Sequence, residues 1–295
     1  MKITILHQDL EWSETAICNT LAGYGHQAIL ADIRETEAAD IADSGLVLNR
    51  IYASVANRNY RDNLKCLRLL KELESLGITC INSWFTSRVD YSKHLSWQLL
   101  ASRGIPTPET VFIKTPDDTH LARRFADRHG FPLVIKRDLG GRALDILLLA
   151  NPSEMDAALE HFFGESYQMH YDAGFILQTY HRNIRDYDCR IAVIDGQYAY
   201  AYKRSLIANS DTEPAWIGSL SRGSESGSYR PDNAGTELAV LSTRAIQSLF
   251  NEVDIIFTET GPMVIENNPT PVFFADRDRE KLESAVRLIL KSLAH

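Results

Sequence analysis

No stretch of the chain approaches the roughly 18 apolar residues that a membrane-spanning helix needs. The opening MKITILHQD is a strand pattern and lacks the long apolar stretch and cleavage site of a secretion signal. Cysteine is scarce, and Cys18, Cys66, Cys80 and Cys189 form no C-x-x-C pair. That argues against a zinc site and points to reduced thiols in a cytoplasmic protein. The histidines show no H-x-x-x-H or similar ligand spacing. No G-x-G-x-x-G follows the first strand, where HQDLEWSE stands instead, which disfavours a dinucleotide-binding Rossmann domain. Positive charge is in deficit: 31 Lys and Arg against 39 Asp and Glu leave a formal charge of −8. Such a balance argues against nonspecific nucleic-acid binding and against anionic membranes. Neither a Ser/His/Asp nor a Cys/His constellation is evident, and there are no internal repeats.

What remains is an ordinary globular composition, 44% hydrophobic and 24% charged over 295 residues, enough for two or three modest domains or one large one. Apolar runs at Lys2–His7, Gln27–Ala31, Leu46–Asn49 and Ile78–Asn82 alternate with helical stretches. They predict an open α/β sheet with ligands at the carboxyl ends of its strands. Arg50 leaves one such end, where it can face a ligand or form a surface salt bridge. A helix over Ser92–Ser102 carries Lys93 in its first turn. The extended Ile105-Pro106-Thr107-Pro108 after Gly104 is the best domain boundary. The strand FPLVIK ends on Lys136 and meets a turn at Gly140-Gly141-Arg142, with the return strand over Asp145–Leu149. A strand lysine facing a glycine flap suits phosphate oxygens. A surface hairpin with a snorkelling lysine is the alternative. Further on come the strand FILQTY and a hairpin turning at Asp195-Gly196, decorated by Arg185, Asp186, Asp188, Arg190, Lys203 and Arg204. A long loop over Ile207–Asn233 contains Arg222-Gly223. Helices are expected over Leu64–Leu76, Thr236–Phe250 and Lys281–Leu293.

The stretch VDIIFTETGPMVIENNPTP, from Val253 to Pro271, reads as two strands and a tight turn. With a three-residue loop ending on Gly261, Thr258 faces Pro262, Ile256 faces Val264 and Asp254 faces Glu266. Asn268 shares the face of Glu266. Like charges directly opposed are unfavourable, and a hard cation held by oxygen ligands would relieve them. Taken alone, the hairpin reads first as a solvated one with acidic residues on its wet face.

The order of these features resembles the ATP-grasp superfamily, and within it the RimK/LysX-type carboxylate–amine ligases. The likeness is densest from Lys93 to Pro271, and KHLSWQLLASRGIPTPETVFIKTPDDT is very similar to the entry of the RimK ligase core. It implies an α/β architecture in three parts. These are a pre-domain over 1–92, a small central part over 93–175 and a C-terminal part over 176–295. It implies ATP and Mg²⁺, or Mn²⁺, as cofactors. Lys93 and Lys136 match lysines on the phosphates, with Arg142 on the flap. Gln178, Thr179 and Tyr180 match the adenine hinge, and Asp188 a nucleotide contact. Arg204 and Arg222 match arginines at the reacting centre, and Asp254, Glu266 and Asn268 the metal ligands. The implied reaction phosphorylates a carboxylate with ATP and passes the acyl group to an amine, with an amino acid, glutamate by family default, or a peptide as substrate. The relatives are commonly homodimers or homotetramers. Three positions depart from the pattern. Ala143 and Asp145 stand where flap glycines are expected. Thr179 replaces a residue that is often acidic. Ile217-Gly218-Ser219 replaces R-x-N, leaving Ser219 on the nucleotide side. These departures keep open a nucleotide-binding protein without turnover, and a bicarbonate-using carboxylase-like enzyme is a further alternative.

Overall fold

The apolar runs at the start of the chain pair in parallel. In the computed structural model, which describes residues 1–208, 214–274 and 278–293, the first sheet has the order β2-β1-β3-β4. Its strands are β1 (Lys2–His7), β2 (Gln27–Asp32), β3 (Leu46–Asn49) and the two-residue β4 (Cys80–Ile81), with α1 (Trp12–Gly23) and α2 (Ala56–Ser75) between them. Helix α2 starts well before the expected Leu64, because its first residues are polar and kink at Asn59, where φ is −154 and ψ is 91. The short α3 (Trp84–Asp90), capped by Ser83, has too few residues for a periodic signal. Helix α4 (Lys93–Ala101) begins where Ser92 accepts a hydrogen bond from the Leu95 amide, so Lys93 is its first residue.

An antiparallel sheet, β5-β8-β6-β7, follows. It comprises β5 (Thr110–Ile113), β6 (Leu133–Arg137), β7 (Leu147–Leu149) and β8 (Phe175–Thr179), with α5 (Thr119–His129), α6 (Pro152–Phe162) and α7 (Glu165–Gln168). Strand β8 pairs with both β5 and β6 throughout, so this sheet runs to Thr179. The last sheet has the order β11-β10-β9-β12-β13. Its members are β9 (Tyr187–Ile194), β10 (Gln197–Ser205), β11 (Ser226–Ser228), β12 (Phe250–Thr258) and β13 (Gly261–Asn268), with α8 (Asn233–Ala245) and the closing α9 (Arg279–Ser292). Helix α8 is shifted from the expected Thr236–Phe250. Asp232 caps it from outside, and the left-handed Gln247, with φ 54, ends it before Phe250 starts a strand. The long loop between β10 and α8 gains β11 and a bridge between Ile207 and Ile217; its residues 209–213 lie outside the described part.

The first sheet is the wall between two cores. Ile3, Ile5, Leu46 and Leu48 pack with Ile194, Phe250 and the α9 residues Leu282, Ala285, Val286 and Ile289. From the opposite face, Leu6 and Val47 join Ile113, Leu133 and Phe175. Alternate strand residues serve opposite faces, which is why apolar residues stand on both faces of β1 and β3. No described helix is long and apolar enough to cross a membrane.

Candidate active site

The three sheets meet around a cleft of about 680 Å³. Period-two alternation explains which side chains reach it. On β6, Val134 and Lys136 line the cleft, while Leu133 and Ile135 are buried in the core behind. On β9, Asp188 and Arg190 line it and Cys189 does not. The hinge Gln178–His181 closes one end with Tyr180 and Trp216 edge-to-face at 6.1 Å, beside Ile146, Ile256 and Ile265. The other end is walled by Tyr52, Ala53 and Ser54 from beyond β3 and by Thr270, Pro271 and Val272 after β13.

The acidic hairpin has the expected pairing at its centre, Asp254 opposite Glu266. Two compensating differences produce it. Thr258 faces Gly261, so the loop is the two-residue Glu259-Thr260, and a bulge between Asp254 and Ile255 inserts Ile265 as an extra residue. Nearer the turn, Ile256 therefore pairs with Met263 and not Val264, and Phe257 takes the place of Thr258 opposite Pro262.

Across the sheet, Tyr202, Arg190, Asp254 and Glu266 form one cross-strand row. Arg190 grips Asp254 with a fork, Nε to Oδ1 at 2.6 Å and a terminal nitrogen to Oδ2 at 2.8 Å. Arg204 makes the same fork to Asp188, at 2.9 and 2.7 Å, and reaches Asp254 Oδ2 at 3.0 Å. Burial works to raise the pKa of Asp254, but the two guanidiniums override it and hold the carboxylate below its usual range. The charge that relieves Asp254 is therefore in the protein itself. Arg190 was only one of several charges decorating the hairpin in the sequence. The signal for it was the D-x-R spacing, which puts Asp188 and Arg190 on one strand face.

Glu266 has a lighter commitment: its contact is Lys93 Nζ at 3.3 Å. Asn268 donates to the Glu252 carbonyl at 3.1 Å through Nδ2, which leaves its oxygen as an acceptor. Two carboxylates and an amide oxygen on one sheet face are the donor set a hard divalent cation takes, and the residues fit one. Glu266 has the most coordinating capacity to spare. Lys93 Nζ also donates to the Gly140 carbonyl at 2.7 Å, tying the flap to the hairpin. Lys136 is buried, and desolvation brings its pKa down to about 8 against the pull of Glu266. Asp90, at the end of α3, accepts from Thr270 at 3.4 Å; burial pushes its pKa up to about 7 despite Lys93. Nothing in the sequence marks Asp90, since Thr270, the hydroxyl it accepts from, lies in a distant segment.

The flap resolves one departure from the expected pattern. Arg142, Ala143 and Asp145 adopt φ of 59, 54 and 53, the left-handed region glycine would enter without penalty. Asp145 points away from the cleft, pairing with Arg137 at 2.7 Å and accepting from Tyr167 at 2.5 Å. Arg142 lines the cleft and pairs with Glu11 at 3.3 Å. In the loop, Gly218, between the departing Ile217 and Ser219, lies so close to the Asp188 carboxylate that any Cβ there would collide with it.

Of the other expected residues, Gln178 lines the cleft, but its carboxamide donates to Thr110 at 2.8 Å. Thr179 shares a 2.9 Å hydrogen bond with His181. Ser219 is buried at the cleft wall, its hydroxyl 3.0 Å from that of Ser221. Arg222 is exposed at the end of the turn whose Leu220 and Ser221 line the cleft, and is not itself among the lining residues. Arg50 is neither ligand-facing nor on the surface. It is buried, pairs with Glu14 at 3.2 Å and donates to the Pro271 carbonyl at 2.7 Å.

Residues 91–290 match the family model of the RimK-like ATP-grasp domain. A protein of Pectobacterium carotovorum named "Probable alpha-L-glutamate ligase" is 27% identical over 203 residues, covering 69% of this chain and 63% of the relative. The chain therefore spans less than two thirds of that relative's length. Among solved structures, a D-cycloserine synthetase superposes with a TM-score of 0.77 at 16% identity, covering 99% of this chain and 100% of the other. A RimK-domain ATP-grasp protein of Sphaerobacter thermophilus gives 0.71 at 17% identity, covering 98% of each.

Proposed function

The chain belongs to the RimK-like ATP-grasp family, and we propose that it is an ATP-dependent carboxylate–amine ligase. The observation that carries this reading is the convergence of Lys93, Lys136, Arg190 and Arg204 on one cleft opposite Glu266 and Asn268. Phosphoryl transfer asks little covalent work of a protein; it needs positive charge fixed around phosphate oxygens and reactants held in line. Lys136 and Lys93 face the polyphosphate. The hinge Gln178–Tyr180 and the apolar group around Trp216 receive the base. A Mg²⁺ or Mn²⁺ held by Glu266, Asn268 and Asp254 would neutralise charge on the same phosphates.

In the reaction, a carboxylate oxygen attacks the γ-phosphorus and the bond to ADP breaks, giving an acylphosphate. The amine nitrogen then attacks the acyl carbon, the C–O bond to phosphate breaks, and an amide and phosphate result. We place the carboxylate toward the Tyr52–Ser54 and Thr270–Val272 end of the cleft that Arg204 also lines. An amino acid or short peptide is the substrate class this reading implies, and the relatives' names make glutamate the first to test. ADP release should require both a carboxylate and an amine from a panel of amino acids. Release that needs bicarbonate, or none with any pair, would overturn the reading.

Arg204→Lys tests the reacting-centre role. Lysine cannot form the fork to Asp188 while also reaching Asp254. Turnover is expected to fall on the order of 10²-fold, with a much smaller change in ATP affinity. Equal losses in turnover and in calorimetric ATP binding would remove Arg204 from the reacting centre.

A further inference from the structure

Asn57 belongs to the first sheet's domain, yet it holds the flap. Its Nδ2 donates to the Gly141 carbonyl at 2.9 Å, and its Oδ1 accepts from the Gly141 amide at 3.4 Å. One carboxamide thus meets both polar groups of one flap residue, as a neighbouring strand would. The fit is close on either side. A Cβ at Gly140, whose φ is 154, would lie 3.1 Å from Asn57 Oδ1, and one at Gly141 would lie 3.0 Å from Ser54 Cβ. One further contact closes the same seam, Arg142 with Glu11 at 3.3 Å, while Ser221 Oγ, from the loop after β10, donates to the Arg142 carbonyl at 3.3 Å. From the cleft side, Lys93 holds the Gly140 carbonyl.

We infer that Asn57 is a positioning residue that clasps the flap shut over the nucleotide phosphates. Opening the flap breaks the Asn57–Gly141 pair, so the pair sets how long the nucleotide stays. The domain that carries Tyr52 and Ser54 at the substrate end thereby also controls the nucleotide end. This rests on the ligase reading for what the flap covers, while the clasp itself rests on the hydrogen bonds alone.

Two measurements on the full chain separate those claims. In Asn57→Ala, hydrogen exchange over residues 139–146 of the nucleotide-free protein should quicken about tenfold, the loss of one to two neutral hydrogen bonds. The KM for ATP should rise by about the same factor while kcat holds within about twofold, and a fluorescent ADP analogue should dissociate correspondingly faster. Gly141→Ala, which pushes the flap from Ser54, should act in the same direction. Unchanged flap exchange overturns the clasp. So does a lower kcat with unchanged KM, which would mean a merely structural residue. If the parent protein releases no ADP with any substrate pair, the ligase reading falls and the exchange result alone decides the clasp.

Discussion

Glutamine in place of Glu266 is expected to abolish ADP formation, a loss on the order of 10³-fold or more, in a protein that melts as the parent does. The two hairpin carboxylates are held very differently. Asp254 accepts from both Arg190 and Arg204, whereas Glu266 meets Lys93 at 3.3 Å and is about a third exposed. Its charge is therefore the one available to a cation and its phosphates. Glutamine keeps the size and the cross-strand position and removes that charge. The pair is part-buried, with Lys93 13% and Glu266 30% exposed, but Lys93 keeps its hydrogen bond to the Gly140 carbonyl, so folding changes little. A steady-state ADP assay with a parallel thermal melt checks both halves. Turnover within tenfold of the parent would take Glu266 out of the cation site.

Lys136→Met is expected to separate stability from function. Desolvation holds the buried ammonium at a pKa of about 8, below its ordinary value of 10.5. Below pH 8 the lysine is charged in both the folded and unfolded chain, and the full cost of burying that charge is present. Between about 8 and 10.5 the folded protein has released the proton and the unfolded chain has not, so stability climbs with pH. Methionine removes the penalty, up to about 3 kcal/mol at neutral pH, and should raise the melting temperature. The same substitution removes the charge that faces the polyphosphate, so ATP binding should weaken on the order of 10²-fold. A melt at pH 7 and calorimetric ATP titration test the pair. A variant that is less stable, or binds ATP as the parent does, contradicts the assignment. In the parent, kcat/KM for ATP should fall as pH rises through about 8, because it reports the free enzyme. A profile level to pH 9.5 would exclude Lys136 as the group that matters.

Local pattern carried much of this. The strand that ends in Lys136 was legible because an apolar run stops at a lysine before two glycines. The opposition of Asp254 and Glu266 was legible too, but partly by compensation: a turn one residue shorter than assumed and a bulge at Ile265 cancel. What the sequence hid was pairing over distance. Arg50 is buried because Glu14, Pro271 and Phe273, far apart in the chain, surround it. Asp145 is harmless beside the cleft because Arg137 and Tyr167 turn it away. The Arg190–Asp254 fork requires the β9–β12 register, which no spacing between residues 64 apart could supply. Asn57 drew no attention because a polar, kinked helix start has no period to read.

Isotope transfer tests the central claim most directly. With both carboxylate oxygens of the acyl donor labelled with ¹⁸O, turnover should move one label into the inorganic phosphate, because that oxygen bonds to the γ-phosphorus before the amine displaces it. Unlabelled phosphate formed alongside amide product, or label recovered in AMP, would contradict an acylphosphate-forming ligase.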